Sequence, residues 1–170
     1  MNKRMTVRDI AGFCPERAVW KMLADVSACL QQSSCLVTVD TIMLDGDHFL
    51  TDGSLAPSDE SESVWALGAA AFYMATGHAV FGEQGKAYQQ AHPHVALPCM
   101  PKAFQMLTQP LHRCLCHDAC QRITLLELTA LAQQGFSECM QRERQILHVA
   151  NKQTEPNNRL VDWWPEEMRE

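Results

Sequence analysis

The densest group of metal-ligating side chains in the chain is His112, Cys114, Cys116, His117 and Cys120. His112, Cys116 and Cys120 recur every four residues and would share one face of a helix running through them. Zinc takes about four converging ligands, and structural sites pair two short Cys/His knuckles. Only one such cluster is present, so core cysteines and surface histidines are expected, with no metal. The paired carboxylates Asp45/Asp47 and Asp59/Glu60 lie in turn-like segments, where solvated loop acids are the expectation rather than general acid–base catalysts. Gly82-Glu83-Gln84-Gly85-Lys86 lacks the spacing of a phosphate loop and the Ser or Thr that must follow its lysine. There is no Gly-x-Ser-x-Gly elbow and no zincin helix. No cofactor is expected.

The elements that would carry these residues are mainly helical. Thr6 followed by Asp9 reads as a capping box for a short helix that Gly12 ends. Pro15-Glu16 opens an amphipathic helix whose apolar positions Val19, Met22, Leu23, Val26 and Leu30 follow a period of about 3.6, flanked by Trp20 and Cys29. It is expected to end near Gln32-Ser33-Ser34. Residues 35–39 and 41–44 are β-prone, and an Asp-Gly turn at 45–47 leads into His48-Phe49-Leu50, so a small β-hairpin is expected. Residues 53–62 read as a loop. Residues 64–76 are apolar nearly all round, the mark of a buried central helix, and Gly77 stops it. Residues 79–98 are irregular, 101–115 and 125–134 form two amphipathic helices, and Gly135 separates the latter from a polar helix at 138–150. Two units are expected on this basis: a helical domain at 1–136, then a helix and an acidic, tryptophan-containing tail at 137–170.

Composition narrows the partners. At 170 residues the chain suffices for one domain with a real core, and a formal net charge of −6 argues against nucleic acid, whose phosphates need a basic face. The longest apolar run, 64–75, is too short to span a membrane and contains Gly68. The basic Met1-Asn2-Lys3-Arg4 is followed by no apolar stretch of the kind a signal peptide needs, so a cytoplasmic location is expected and the eight cysteines should be reduced thiols. In the tail, Leu160, Val161, Trp163 and Trp164 are large apolar residues among acids and asparagines. They either fold back on the domain or anchor a partner.

Several segments, taken in order, resemble the large lobe of eukaryotic-type protein kinases. Ser63-Val64-Trp65-Ala66-Leu67-Gly68, Phe72-Tyr73-Met74-Ala75-Thr76-Gly77 and Val80-Phe81-Gly82 are similar to "SDVWSLG…LYELLTG..PF". Leu111-His112-Arg113-Cys114-Leu115, Asp118 and 121–128 are similar to "KCL…DP..RPT..EL". Val39-Asp40-Thr41-Ile42-Met43-Leu44-Asp45, ahead of Phe49-Leu50-Thr51-Asp52, sits where kinases carry "KPENILLD". The resemblance covers roughly residues 5–136. It implies a mainly α fold: a helical domain like the kinase C-terminal lobe, with a small β-hairpin and no ATP-binding lobe, since no glycine loop, β3 lysine or αC glutamate precedes it.

Where the chain departs from the family, chemistry is lost. Phosphotransfer needs an Asp to take the substrate proton and an Asn to hold metal. The resemblance puts Leu36 and Thr41 at those positions, and Asp52 at the metal-binding Asp of a degraded Asp-Phe-Gly motif. The central helix begins with Ser63 in place of Asp. Arg122 corresponds to an arginine that pairs with the glutamate of "APE"; here Ala56-Pro57-Ser58 lacks it, so either a replacement carboxylate, which Asp59 or Glu60 could supply, or solvent exposure is expected. The resemblance therefore implies no enzyme but a non-catalytic, pseudokinase-type protein-interaction module, similar in plan to KIND domains. The alternative is half of a split or truncated Ser/Thr-type kinase whose ATP-binding lobe is a separate chain. The partner is expected to be a protein, not nucleic acid or a membrane, bound through Leu36, Val37, Val39, Leu160, Trp163 and Trp164.

Overall fold

The computed structural model of the protein describes residues 4–52 and 54–150. Among them, the chain runs β1 (Met5–Thr6), α1 (Val7–Ile10), α2 (Glu16–Gln32), β2 (Ile42–Asp45), β3 (His48–Thr51), α3 (Glu60–Thr76), α4 (Lys86–Ala91), α5 (Thr108–Cys114) and α6 (Leu125–Ala150), with short 3-10 turns between the later helices. The fold is mainly α, with one small antiparallel sheet.

Local chemistry accounts for the first elements. The backbone N–H and hydroxyl of Thr6 both donate to Asp9 Oδ2 at 2.9 Å, which opens α1. The expected hairpin is β2 with β3, in the register Leu44 opposite Phe49 and Asp45 opposite His48. Gly46 takes φ +61 at the first central position of its two-residue turn, a conformation that glycine adopts without cost. Ile42, Leu44 and Phe49 point into the core while Asp45, His48 and Leu50 face out, the period-2 alternation of a half-buried sheet. The sheet has a third strand that sequence reasoning missed: Met5 and Thr6 pair with Leu44 and Met43. Two residues are too few to show an alternation. The β-prone stretch 35–39 is not a strand; it makes a single bridge, Cys35 with Pro57.

The central helix is α3, and it starts at Glu60, four residues before the apolar run that marked it. Asp59 is its cap: Oδ1 accepts from the Glu62 N–H at 2.9 Å and from the Ser61 hydroxyl at 2.8 Å. The polar first turn disguised the helix as loop. Its end is where the sequence put it, with Gly77 in the left-handed conformation (φ 74) donating to the Tyr73 carbonyl at 2.7 Å. Val64, Leu67, Ala71 and Met74 are fully buried. At Gly68 the helix meets α5 so closely that a Cβ there would lie 2.6 Å from the Cβ of Cys114.

Two helical expectations need correction. Residues 101–115 are not one helix: a 3-10 stretch, Lys102–Leu107, is broken at Phe104 (φ −121, ψ 19) before α5 begins. Pro110 supplies the reason. It has no N–H to donate and falls in the first turn of α5, where none is needed; a helix begun at 101 would have lost that bond mid-way. Nor does Gly135 end a helix, since α6 runs through it to Ala150. A Cβ at Gly135 would lie 2.5–2.7 Å from the Trp20 ring, so the glycine lets α2 and α6 approach and is not a stop signal. The expected unit boundary at 136/137 therefore falls inside one helix, whose later turns bond back to α2 through Arg17–Glu143 (2.9 Å) and Arg142–Glu16 (3.1 Å).

Candidate functional site

The loop that joins α2 to β2, residues 33–41, carries the positions expected to matter most, and it is anchored from three sides. The buried hydroxyl of Ser63, in α3, donates to the Cys35 carbonyl at 2.8 Å and lies 2.6 Å from the Ser58 hydroxyl. The Leu36 N–H donates to the Ala56 carbonyl at 3.3 Å. At its far end Arg8 of α1 grips Asp40 with two bonds, Nε at 2.6 Å and Nη2 at 2.8 Å, while its Nη1 reaches the Tyr73 hydroxyl of α3 at 3.3 Å. A forked guanidinium on a carboxylate fixes orientation as well as distance. None of Arg8, Asp40, Tyr73 or Ser63 was singled out as a pair from the sequence, because their separations of 28 to 65 residues leave no local pattern.

Within that frame the expected residues separate. Leu36 is exposed, at 45% of its full surface. Val37, expected beside it on the partner face, is instead 3% exposed and belongs to the hydrophobic core. The correction follows from the loop's extended path, in which successive side chains point to opposite sides. Val39 is half-buried and packs against the same core. Thr41 spends its hydroxyl on the turn beneath it, accepting from the Thr38 N–H at 2.8 Å. Asp52 is exposed, and its Oδ1 accepts from the Ser54 N–H at 3.0 Å and hydroxyl at 2.8 Å, a local turn. Leu160, Trp163 and Trp164 lie outside the described residues.

The electrostatics of this face do not favour acid–base work at neutral pH. The Ser54 bonds hold the Asp52 carboxyl below its ordinary range, and the Arg8 bond does the same for Asp40. A general base poised near neutrality needs the opposite displacement. Leu36 has no proton-accepting atom at all.

Arg122 has a replacement carboxylate, the first of the two expected outcomes, but Glu62 supplies it. The arginine side chain is 4% exposed, and it lies 3.7 Å from Glu62 rather than pairing with Asp59 or Glu60. Its Nε donates to the Cys116 carbonyl at 2.8 Å and its Nη1 to the Ser61 carbonyl at 3.1 Å. Glu62 also pairs with Lys86, and Glu60 accepts from the Leu125 N–H at 2.6 Å, at the start of α6. The first turn of α3 thus holds the loop before α6 and the start of α6 itself. Nearby, buried Gln89 accepts from the Trp65 indole at 2.9 Å and donates to the Leu115 carbonyl at 2.6 Å.

The cysteine–histidine cluster disperses. Cys114 is buried, Cys116 half-buried and Cys120 exposed, while His112 bonds to the Pro98 carbonyl at 2.9 Å. Among the described residues no group of three or more His, Cys, Asp or Glu is placed to hold a metal ion, and no helix is long and apolar enough to cross a membrane. Compared with known proteins, the chain matches no protein-family model and no curated protein.

Proposed function

We propose that this chain is a non-catalytic protein-interaction module with the plan of a protein kinase C-terminal lobe, a pseudokinase-type domain of the kind exemplified by KIND domains. The observation that carries the reading is Leu36: an exposed apolar side chain stands on a loop held rigidly from α1 and α3, at the position where the resemblance calls for a proton acceptor. An anchored loop presenting a bare leucine suits binding, because a pre-ordered contact gives up little conformational entropy on association.

Two further features support it. Thr41 and Asp52, the remaining positions of the catalytic set, have their polar atoms engaged in their own turns. The buried Arg122 keeps a scaffold role through Glu62 and three carbonyls, in keeping with the resemblance at 121–128. The partner is a protein that covers Leu36 with an apolar surface.

Two measurements test this. Calorimetric titration with Mg-ATP should give no saturable binding in the micromolar range, and micromolar binding or phosphate transfer would overturn the proposal. Affinity capture read by mass spectrometry should then recover a protein that wild type retains and Leu36→Asp loses. A capture profile indifferent to that substitution counts equally against it.

A further inference from the structure

At the tip of the β2–β3 hairpin, His48 Nδ1 lies 3.3 Å from Lys21 Nζ of α2. An ammonium has three N–H donors and no lone pair, so this bond forms only if Nδ1 accepts. The proton of the neutral ring therefore sits on Nε2. Lys21 is fixed from two further sides, by Asp25 Oδ1 at 3.0 Å and by the Phe136 ring of α6, whose centre is 5.8 Å away. Asp25 Oδ2 accepts from the Phe49 N–H at 3.0 Å and stands 3.6 Å from His48 Nδ1, just beyond bonding distance. One imidazole nitrogen thus faces a cation that needs its lone pair and a carboxylate that would take its proton.

We propose that His48 is a pH-sensitive switch between these two partners: the neutral ring accepts from Lys21, and the protonated ring donates to Asp25 in its place. A proton on Nδ1 removes the lone pair that Lys21 uses and sets two cations 3.3 Å apart, so that contact breaks. The new N–H turns to Asp25 Oδ2, where a shift of well under 1 Å completes a charge-assisted bond. Lys21 keeps Asp25 Oδ1 and Phe136, so His48 is the group that moves; its side chain is 68% exposed and free to pivot. The other charged groups around it are Asp45, opposite on β2 with Arg4 at 3.9 Å, Asp47 in the turn, and Arg144 of α6. Among these side-chain types only imidazole ordinarily changes charge between pH 5 and 8, so His48 drives the exchange. Lys21 and His48 both line a groove of about 440 Å³ between α2, α6 and the hairpin tip. In the acid state this groove carries one more positive charge, and Lys21 no longer ties α2 to the hairpin across it. The switch does not depend on the proposed function.

The test is nuclear magnetic resonance on the full chain labelled with nitrogen-15, titrated from pH 8 to pH 5. At pH 8 the two-bond proton–nitrogen correlations of the His48 ring should place its proton on Nε2. Lys21→Met, which keeps the aliphatic stem and removes the donor, should return the ring to a mixture of both tautomers. On acidification the Phe49 amide, which shares Asp25 Oδ2, should shift with the same midpoint as the His48 ring. That shift should vanish in His48→Gln, whose side-chain oxygen accepts from Lys21 at any pH; His48 is exposed, so the change leaves the core intact. A proton on Nδ1 at pH 8, a tautomer indifferent to Lys21→Met, or a Phe49 amide that does not follow His48 or still titrates in His48→Gln would each overturn the switch.

Discussion

Gly135 shows how one residue can mean the opposite of its usual signal. On an isolated helix, replacing glycine with alanine is favourable by about 1 kcal/mol, because the backbone has less freedom to lose. Here the added methyl would sit 2.5 Å from the Trp20 ring, well inside contact distance, in a helix pair that packs on both sides. Trp20 is itself held, its indole N–H donating to Glu16 at 3.0 Å, so the ring is not at liberty to swing away. Overpacking costs about 1–3 kcal/mol and outweighs the propensity gain. Gly135→Ala should therefore lower the thermal midpoint; a raised midpoint would show that α2 and α6 do not approach as closely as described.

At the scale of elements, α3 organises the fold. Its inner residues are fully buried, and its first turn holds the α2–β2 loop through Ser63, Arg122 through Glu62, and the start of α6 through Glu60. Leu67→Ala should cost about 2–5 kcal/mol by chemical denaturation, the range of a buried leucine truncation that leaves a cavity. The cap of the same helix sets a pH dependence. Bonds from the Glu62 N–H and the Ser61 hydroxyl hold the Asp59 carboxyl below its ordinary range. A carboxyl whose folded pKa is depressed contributes stability that is full above its unfolded pKa, about 4, and is lost as pH falls through the folded value. Asp59→Asn keeps a capping oxygen without a titrating proton. The thermal midpoint of that variant should therefore fall less steeply below about pH 4 than that of wild type, and parallel curves would refute the assignment.

Across the whole molecule, the eight thiols report on packing. None is bridged; Cys99 and Cys120 are exposed, whereas Cys14, Cys35, Cys114 and Cys139 are buried. Burial pushes Cys14, Cys114 and Cys139 up to about 12, so at pH 8 they are almost wholly protonated as well as inaccessible. Cys14 also donates its S–H to the Met74 carbonyl at 3.2 Å, joining the start of the chain to the end of α3. A thiol reagent at pH 8 should modify Cys99 and Cys120 rapidly, and Cys14, Cys114 and Cys139 only after denaturation. Early labelling at Cys114 would mean that α3 and α5 do not close as tightly as Gly68 permits.

What the sequence alone determined is whatever short-range chemistry specifies. The start of α2 at Glu16, the capping box of α1, the hairpin turned at Gly46 and the stop of α3 at Gly77 all follow from residues within one turn of each other. The mainly α character follows from periodicity. The tertiary structure decided the rest, for one physical reason: those features depend on groups far apart in the chain. Glu60 and Glu62 read as loop acids until Leu125 and Arg122 supply their partners some 60 residues later. Gly135 reads as a breaker until Trp20 fills the space that it leaves. Val37 and Leu36 are adjacent and equally apolar, and only the path of an anchored loop sends one into the core and the other to the surface. An exposed leucine on a rigid loop is thus a product of the fold, while the absence of a proton acceptor at that position was legible from the residue itself.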